Sequence, residues 1–257
     1  MSLDDLVALS IPVFFVLFLI LERLLPARPL PKVSGWFVKG ILFFLLIGGM
    51  NAAIPAAILS VANGYTVFNL SGIGAVPGAI LGLILIDLAS YWIHRGMHHS
   101  PTVWRFTHQL HHSAERMDML GASYFHPVDF LLQNVIPGTL VLVLLGMSPE
   151  AGALYGLLGF LIGVFPHLNV KTPAWLGYVL QRPEMHAVHH LRDVHAYNYG
   201  TLAFSDLLFG TWRNPAEFPT GNYGFWDGAS KRVGAMLIGK DVSTPAEPRS
   251  ASETAAA

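Results

Sequence analysis

The stretch 87–99, "DLASYWIHRGMHH", decides the fold, because an apolar run passes without interruption into three histidines. One helical face carries, at spacings of i, i+4, i+7 and i+11, Asp87, Tyr91, His94 and His98. The apolar residues that begin near position 75 are numerous enough to cross a bilayer core of about 30 Å. The stretch therefore predicts a membrane helix with histidines at its end.

Apolar stretches of similar length predict an all-α, polytopic membrane protein with four to five membrane helices. Hydrophobic residues make up 53% of the 257 residues, and charged residues only 12%. The first run follows Asp4 and Asp5 where a secretory signal would carry basic residues, so it is expected to be a retained anchor. The last two runs are short and rich in Gly and Pro, and a re-entrant hairpin is an alternative for them. The predicted spans lie at about 6–25, 38–62, 75–93, 128–147 and 150–166.

The charged residues indicate how these spans are oriented. Basic residues are frequent between the first two spans, whereas the segment between the second and third spans, "NGYTVFNLSGIG", has none. Basic loops are usually cytoplasmic, which predicts that residues 94–127 and those after 167 form a helical cap on the cytoplasmic side. The net charge of −1 gives no basic field for a nucleic acid.

Two copies of one motif, "HQLHH" at 108–112 and "HAVHH" at 186–190, indicate a metal site. With 12 histidines in 257 residues, about 0.03 such motifs are expected by chance. A helix capped by Ser100 and running through residue 112 would place the first three imidazoles on one face. Since the chain has no cysteine, its metal ligands must be nitrogen or oxygen atoms.

The number and type of ligands favour two iron ions that react with O2. One tetrahedral zinc uses only three or four protein ligands, fewer than the histidines gathered here. Imidazole suits iron among other metals, and a thiolate-free site with open positions fits O2 chemistry. Since the sequence has no dinucleotide, haem or Fe–S motif, electrons are expected from a separate ferredoxin, cytochrome or reductase.

The order of these motifs resembles the fatty acid hydroxylase and sterol desaturase superfamily over about residues 80–213. The matching elements are "HRGMH", "HQLHH", "FHP", "FPHLN", and "HAVHH" followed by "NYG" and "DLLFGTW". The resemblance implies a membrane-bound di-iron oxidoreductase that hydroxylates or desaturates a lipid with O2. It also implies one integral-membrane domain over residues 1–240, and the polar segment 241–257 is expected to be a disordered tail.

The resemblance also implies a set of site residues. Eight histidines match the three boxes and are the predicted catalytic metal ligands: His94, His98, His108, His111, His112, His186, His189 and His190. His126 and His167 are expected as further ligands, whereas His99 and His195 are placed outside the ligand set. Some members have a histidine where this chain has Gly163, and Asn169 or water is expected in its place. Asp87, a carboxylate inside a span, is predicted to orient a ligand imidazole.

Two functions from other classes remain as alternatives. A metal transporter would also place histidines near membrane helices, but it should have ligands at mid-span. A zinc-dependent membrane hydrolase would need a glutamate base, and the motif "HExxH" is absent.

Overall fold

The computed structural model describes residues 3–245, and the regular secondary structure of these residues is helical. In this part of the chain β structure is limited to two isolated bridges, Leu180 with Leu202 and Leu191 with Tyr223. The predicted all-α class is therefore confirmed. The helices are α1 (Leu3–Leu24), α2 (Trp36–Ala62), α3 (Ala75–His99), α4 (Pro101–Phe106), α5 (Gln109–His112), α6 (Pro127–Phe130), α7 (Ile136–Leu145), α8 (Pro149–Val164), α9 (Pro183–His189), α10 (Ala203–Phe209) and α11 (Val233–Leu237).

Five helical segments are long and apolar enough to cross a membrane, which confirms the predicted number. They are Asp5–Leu24, Trp36–Ala62, Ala75–His99, Pro127–Leu145 and Pro149–His167. The fourth joins α6 to α7 through a π-helical turn, Leu131–Val135.

The central helix of the bundle is α3, which packs against α7 and α8. Small residues allow a close approach, since a Cβ added at Gly78 would lie 2.8 Å from the Cβ of Ala151. At the opposite end from the histidines, α7 and α8 are joined by a turn at Gly146, whose φ is 62°. Only glycine fits there, because an added Cβ would overlap the carbonyl of Phe68.

The third membrane helix extends six residues beyond its predicted end at residue 93. It runs to His99, where Ser100 takes an extended conformation and Pro101 begins the next helix. Ser100 Oγ accepts the backbone N–H of Val103, which confirms the predicted cap. His94 and His98 therefore lie on the last two turns of this helix, held by its backbone.

The prediction of one helix from Pro101 to His112 was wrong. The chain leaves the helix at Thr107, whose φ and ψ are −132° and −76°, and resumes as α5. The Thr107 hydroxyl donates to the carbonyl of Val103 at 2.6 Å, a side-chain bond that competes with the helical pattern. The break separates His108 from the helix that carries His111 and His112.

The loop between α1 and α2 lies at the same end of the bundle as the histidines, as the topology predicts. Ala27 N–H donates to the carbonyl of Asn169, and Arg116 donates to the carbonyl of Pro31. The start of the predicted tail is packed as well, because Val242 is buried and accepts a hydrogen bond from Trp226 Nε1. Residues 246–257, the rest of that predicted tail, lie outside the described residues.

Candidate metal centre

Nine buried or half-buried histidines form two compact groups at one end of the bundle. The members of each group offer nitrogen atoms that all lie within 4.8 Å of one another. The first group contains His94, His98, His108, His112 and His189. The second group contains His111, His167, His186 and His190.

Each HxxHH motif is divided between the two groups. The outer pair of the first motif, His108 and His112, joins the first group, while the middle histidine, His111, joins the second. The other motif does the reverse: His186 and His190 join the second group, and His189 joins the first. The two motifs therefore interlock, and both groups depend on both segments.

In the first group, hydrogen bonds fix which ring nitrogen carries the proton. The Nδ1–H groups of His94 and His189 face the carbonyls of Tyr199 and Tyr197, both at 2.8 Å. The Nδ1–H of His108 donates to Asp129 Oδ2 at 2.6 Å. Because a carbonyl or carboxylate can only accept, a neutral ring must carry its proton on Nδ1 and present a lone pair at Nε2.

The inward-facing Nε2 atoms of these rings lie so close together that their lone pairs would repel one another without a cation between them. His94 Nε2 lies 2.8 Å from His108 Nε2, and His112 Nε2 lies 3.1 Å from His189 Nε2. In the first of these pairs both atoms have only lone pairs, so the contact is not a hydrogen bond. A metal ion ligated by neutral imidazole nitrogens resolves this repulsion. The first group therefore fits a metal ion.

Asp129 supports the first group and was missed by the sequence analysis. Its side chain is fully buried, Oδ2 accepts from His108, and Oδ1 accepts from Gln133 Nε2 at 2.6 Å. A carboxylate behind a ligand imidazole is the usual outer support of a metal site. The only sequence signal for Asp129 is its position three residues after His126 in "FHPVD".

The second group has similar inward geometry but less outer support. His167 Nε2 lies 3.2 Å from His111 Nε2 and 3.1 Å from His186 Nε2. The buried Nδ1 atoms of His111 and His186 have no hydrogen-bond partner among the described residues. Packing orients the first ring instead, since His111 stacks on Phe125 with ring centroids 4.1 Å apart. Four convergent, water-excluded imidazoles fit a second metal ion.

Burial favours the neutral form of five imidazoles in the two groups. Desolvation, with neighbouring imidazoles as a smaller cause, lowers the pKa well below the usual value for each of them: His111, His112, His186, His189 and His190. Neutral imidazole is the form that binds a metal.

Two predicted ligands lie outside both groups. His126 Nδ1 accepts the backbone N–H of Val128 at the start of α6, and its Nε2 lies 3.3 Å from the carbonyl of Leu237. Asn169 donates from Nδ2 to the carbonyl of Arg28 and from its backbone to Glu22. The structure brings neither side chain to the two histidine groups. Both residues instead make hydrogen bonds that connect separate segments of the chain.

Asp87 supports the site indirectly and contacts no imidazole, in contrast to the prediction. Its carboxylate accepts from the backbone N–H groups of Thr201 and Leu202 and from the hydroxyl of Ser205. These bonds anchor the loop whose Tyr199 carbonyl faces His94. Burial makes the charged carboxylate costly, and these three donors together with the Thr201 hydroxyl compensate for that cost.

His195 and Trp104 lie beside the first group. His195 Nδ1 is 3.0 Å from His112 Nδ1, and burial lowers the pKa of His195 to about 4. The Trp104 ring packs against His98 and His112, with centroids 4.9 and 5.1 Å away. Both side chains line an open cavity of about 370 Å³ that reaches His98 and the exposed His99.

Fold and site together define a multi-pass membrane protein with two adjacent histidine groups that could each hold a metal ion. The sequence profile described as fatty acid hydroxylase matches residues 79–211. The chain belongs to the fatty acid hydroxylase family. This range contains all nine histidines of the two groups, and also Asp87 and Asp129.

Curated relatives show a range of lipid enzymes. The ornithine lipid hydroxylase OlsE of Rhizobium tropici is 31% identical over 162 residues, covering 62% of this chain and 48% of the relative. Sphinganine C4-monooxygenase 1 of Arabidopsis thaliana is 29% identical over 134 residues (52% and 50%). A Delta(7)-sterol 5(6)-desaturase of Gibberella zeae is 31% identical over 141 residues (53% and 42%). The chain spans about half the length of these relatives, and no solved structure matches it.

Proposed function

We propose that the protein is a membrane-bound di-iron oxidoreductase that uses O2 to hydroxylate or desaturate a C–H bond of a lipid. The observation that carries the proposal is the pair of histidine groups with inward-facing nitrogens, within a fatty acid hydroxylase domain. The relatives act, by their names, on ornithine lipids, sphinganine and sterols, which supports a lipid substrate.

The protein's own residues would hold the metals by presenting neutral imidazoles. The first group offers five nitrogens and the second four, and all are shielded from water except at the half-buried His98. The chemistry that two bound iron ions supply is activation of O2 toward an unactivated C–H bond. Asp129 holds the proton of His108 on Nδ1, and the carbonyls of Tyr197 and Tyr199 do the same for His189 and His94.

The proposed site faces the cytoplasm and receives its electrons from a separate protein. The basic loop between α1 and α2 lies on the same side as the site, which supports a cytoplasmic location. The chain has no cysteine for an Fe–S cluster and no haem-attachment motif, so a separate ferredoxin, cytochrome or reductase would supply electrons.

The two alternatives receive no support from the geometry. The ligands on α3 lie on its last two turns, whereas a transporter requires a mid-span site. Both groups consist of histidines alone. Neither group therefore contains a carboxylate that could act as the general base of a zinc hydrolase.

The test is to purify the protein with its metals and to count iron and zinc per chain. The protein is then given O2, a reductant and a lipid extract, and the lipids are compared by mass spectrometry. We expect a lipid that gains one oxygen atom or loses two hydrogen atoms, and no change under nitrogen. Unchanged lipids from an iron-loaded, reduced protein would contradict the proposal, and a zinc-only protein would contradict its iron chemistry.

A further inference from the structure

We propose that part of the cap lies in the membrane interface and contacts lipid directly. Six exposed apolar side chains form one surface, called here the interfacial patch: Trp175, Tyr178, Val179, Phe204, Leu207 and Leu208. None of them belongs to a membrane-spanning segment. The inference depends on the fold and not on the proposed chemistry.

Helix α10 has the reverse of the usual polarity of a surface helix. Phe204, Leu207 and Leu208, spaced i, i+3 and i+4, are 46%, 46% and 58% exposed. Its polar residues, Ser205 and Asp206, are buried. Apolar residues at this spacing form one stripe on a helix, and water is an unfavourable environment for such a stripe.

The buried polar residues hold the helix in this orientation. Ser205 donates to Asp87 at 2.7 Å, and Asp206 accepts the backbone N–H groups of Tyr199 and Gly200 at 2.9 and 2.8 Å. A rotation that buried Phe204 would break all three hydrogen bonds. The outward position of the apolar stripe is therefore fixed by the fold.

A neighbouring 3₁₀ turn, Ala174–Tyr178, extends the patch with aromatic residues. Trp175 and Tyr178 are 67% and 62% exposed. The two elements are joined, because the N–H of Ala203 donates to the carbonyl of Val179. Trp and Tyr are enriched where a protein meets the headgroup layer of a bilayer.

The patch is continuous with the surface that faces lipid on α3. Phe209, the last residue of α10, packs against Trp92 of α3 with ring centroids 4.7 Å apart, and Trp92 is 51% exposed. Arg95 lies over the Trp92 ring at 5.5 Å, near the end of the span. A bilayer that surrounds α3 up to this arginine would also cover α10. This continuity identifies lipid, not a second protein, as the occupant.

The absence of cysteine allows a direct test with single labels. Three full-length variants are compared: Leu208→Cys in the patch, Leu45→Cys on a lipid-facing part of α2, and Thr220→Cys on an exposed cap loop. Each metal-loaded protein is labelled with bimane and placed in phosphatidylcholine–phosphatidylglycerol nanodiscs. Quenching is measured with lipids brominated near the top of the acyl chain and, separately, with aqueous iodide.

We expect the label at position 208 to lose fluorescence to the brominated lipids as the label at 45 does, and to resist iodide. The label at 220 should show the opposite pattern. Iodide quenching at 208 equal to that at 220 would overturn the proposal. Resistance to both quenchers would also overturn it, because a protein partner would then cover the patch. Phe204→Cys provides a second, independent position if Leu208→Cys does not fold.

Discussion

The two histidine groups have similar inward geometry but different surroundings. In the first group the outer nitrogens of His94, His108 and His189 are bound by two backbone carbonyls and one carboxylate. In the second group the outer nitrogens of His111 and His186 have no such partner in the part of the chain that the structure describes.

The difference indicates that two groups with the same type of ligand residue need not hold a metal ion equally well. Outer hydrogen bonds fix the protonated nitrogen and the ring orientation before the metal binds. The rings therefore lose less conformational freedom on binding. The first group is prepared in this way, whereas His111 and His186 of the second group lack such bonds. We expect the first group to bind its ion more tightly and the second to exchange its ion more easily.

The largest effect is expected from removing one ligand of either group. His108→Ala and His186→Ala should each reduce the metal content from about two ions per chain to about one, because each residue serves one group. Metal analysis of the purified variants measures this, and lipid turnover should be lost in both. The exposed His99, replaced by alanine, is the control. If one variant lost both ions and the other lost none, the assignment of separate groups would be wrong.

The next effect concerns the support of the first group. Asp129→Asn removes the negative charge behind His108. The Asn side chain has one acceptor oxygen, so it cannot replace both carboxylate oxygens that accept from His108 and Gln133. The metal affinity of the first group should therefore fall about 10- to 100-fold. Competition with a graded chelator measures the affinity. Asp227→Asn, at an exposed position, is the control. An equal loss of affinity for both ions would show that Asp129 acts on the whole fold and not on the first group alone.

Chelator titration of the unaltered protein should release the two ions in order. The ion of the second group is expected to leave first, by a margin of about 10-fold in chelator concentration, because His111 and His186 lack outer hydrogen bonds. The ion that remains in His186→Ala should match the more tightly bound ion of the unaltered protein. The reverse order would refute the comparison.

Acidification tests the lowered pKa values of buried histidines, which occur in both groups. The pKa values of His186, His189 and His190 lie well below the usual 6.5 in the fold. Below about pH 6.5 the unfolded chain therefore binds more protons than the folded chain, so the free energy of unfolding should fall as pH falls, by up to about 1.4 kcal/mol per histidine per pH unit. Thermal unfolding of the metal-free protein from about pH 8 to 5 checks this.

Asp206 acts in the opposite direction. Burial raises its pKa to about 6 from 3.8, so the folded chain holds this proton between those values and its contribution to stability falls as pH rises. One carboxyl does not offset several histidines. A melting temperature that rose on acidification would contradict the expectation.

The smallest effect is expected at His195. Its hydrogen-bond contact with the first group is at the outer nitrogen of His112, it carries no carboxylate charge, and it borders an open cavity. His195→Ala should weaken the ion of the first group by less than about 10-fold, clearly less than Asp129→Asn. The same chelator assay compares the two variants. An effect equal to that of Asp129→Asn would mean that charge is unimportant in this support.

The sequence predicted the spans and the boxes because both are local patterns. Apolar length indicates a membrane helix, and the repeated HxxHH spacing indicates candidate ligands at 108–112 and 186–190. The division of each motif between two groups was not predictable, because it depends on the break at Thr107 and on how α5 and α9 face each other. Asp129 was missed for the same reason: nothing near it in sequence shows that it meets His108, 21 residues earlier.

Adjacent histidines in the two motifs belong to different groups, and this has a mechanical consequence. The ring centroids of His111 and His112 are 5.6 Å apart, and those of His189 and His190 are 5.3 Å apart. A single peptide unit, within α5 in one motif and at the end of α9 in the other, therefore links the two histidine groups covalently and limits the distance between them. Under the proposed function, the distance between the two histidine groups would stay the same for every lipid, and any adjustment to the shape of a lipid would come from the residues around the groups.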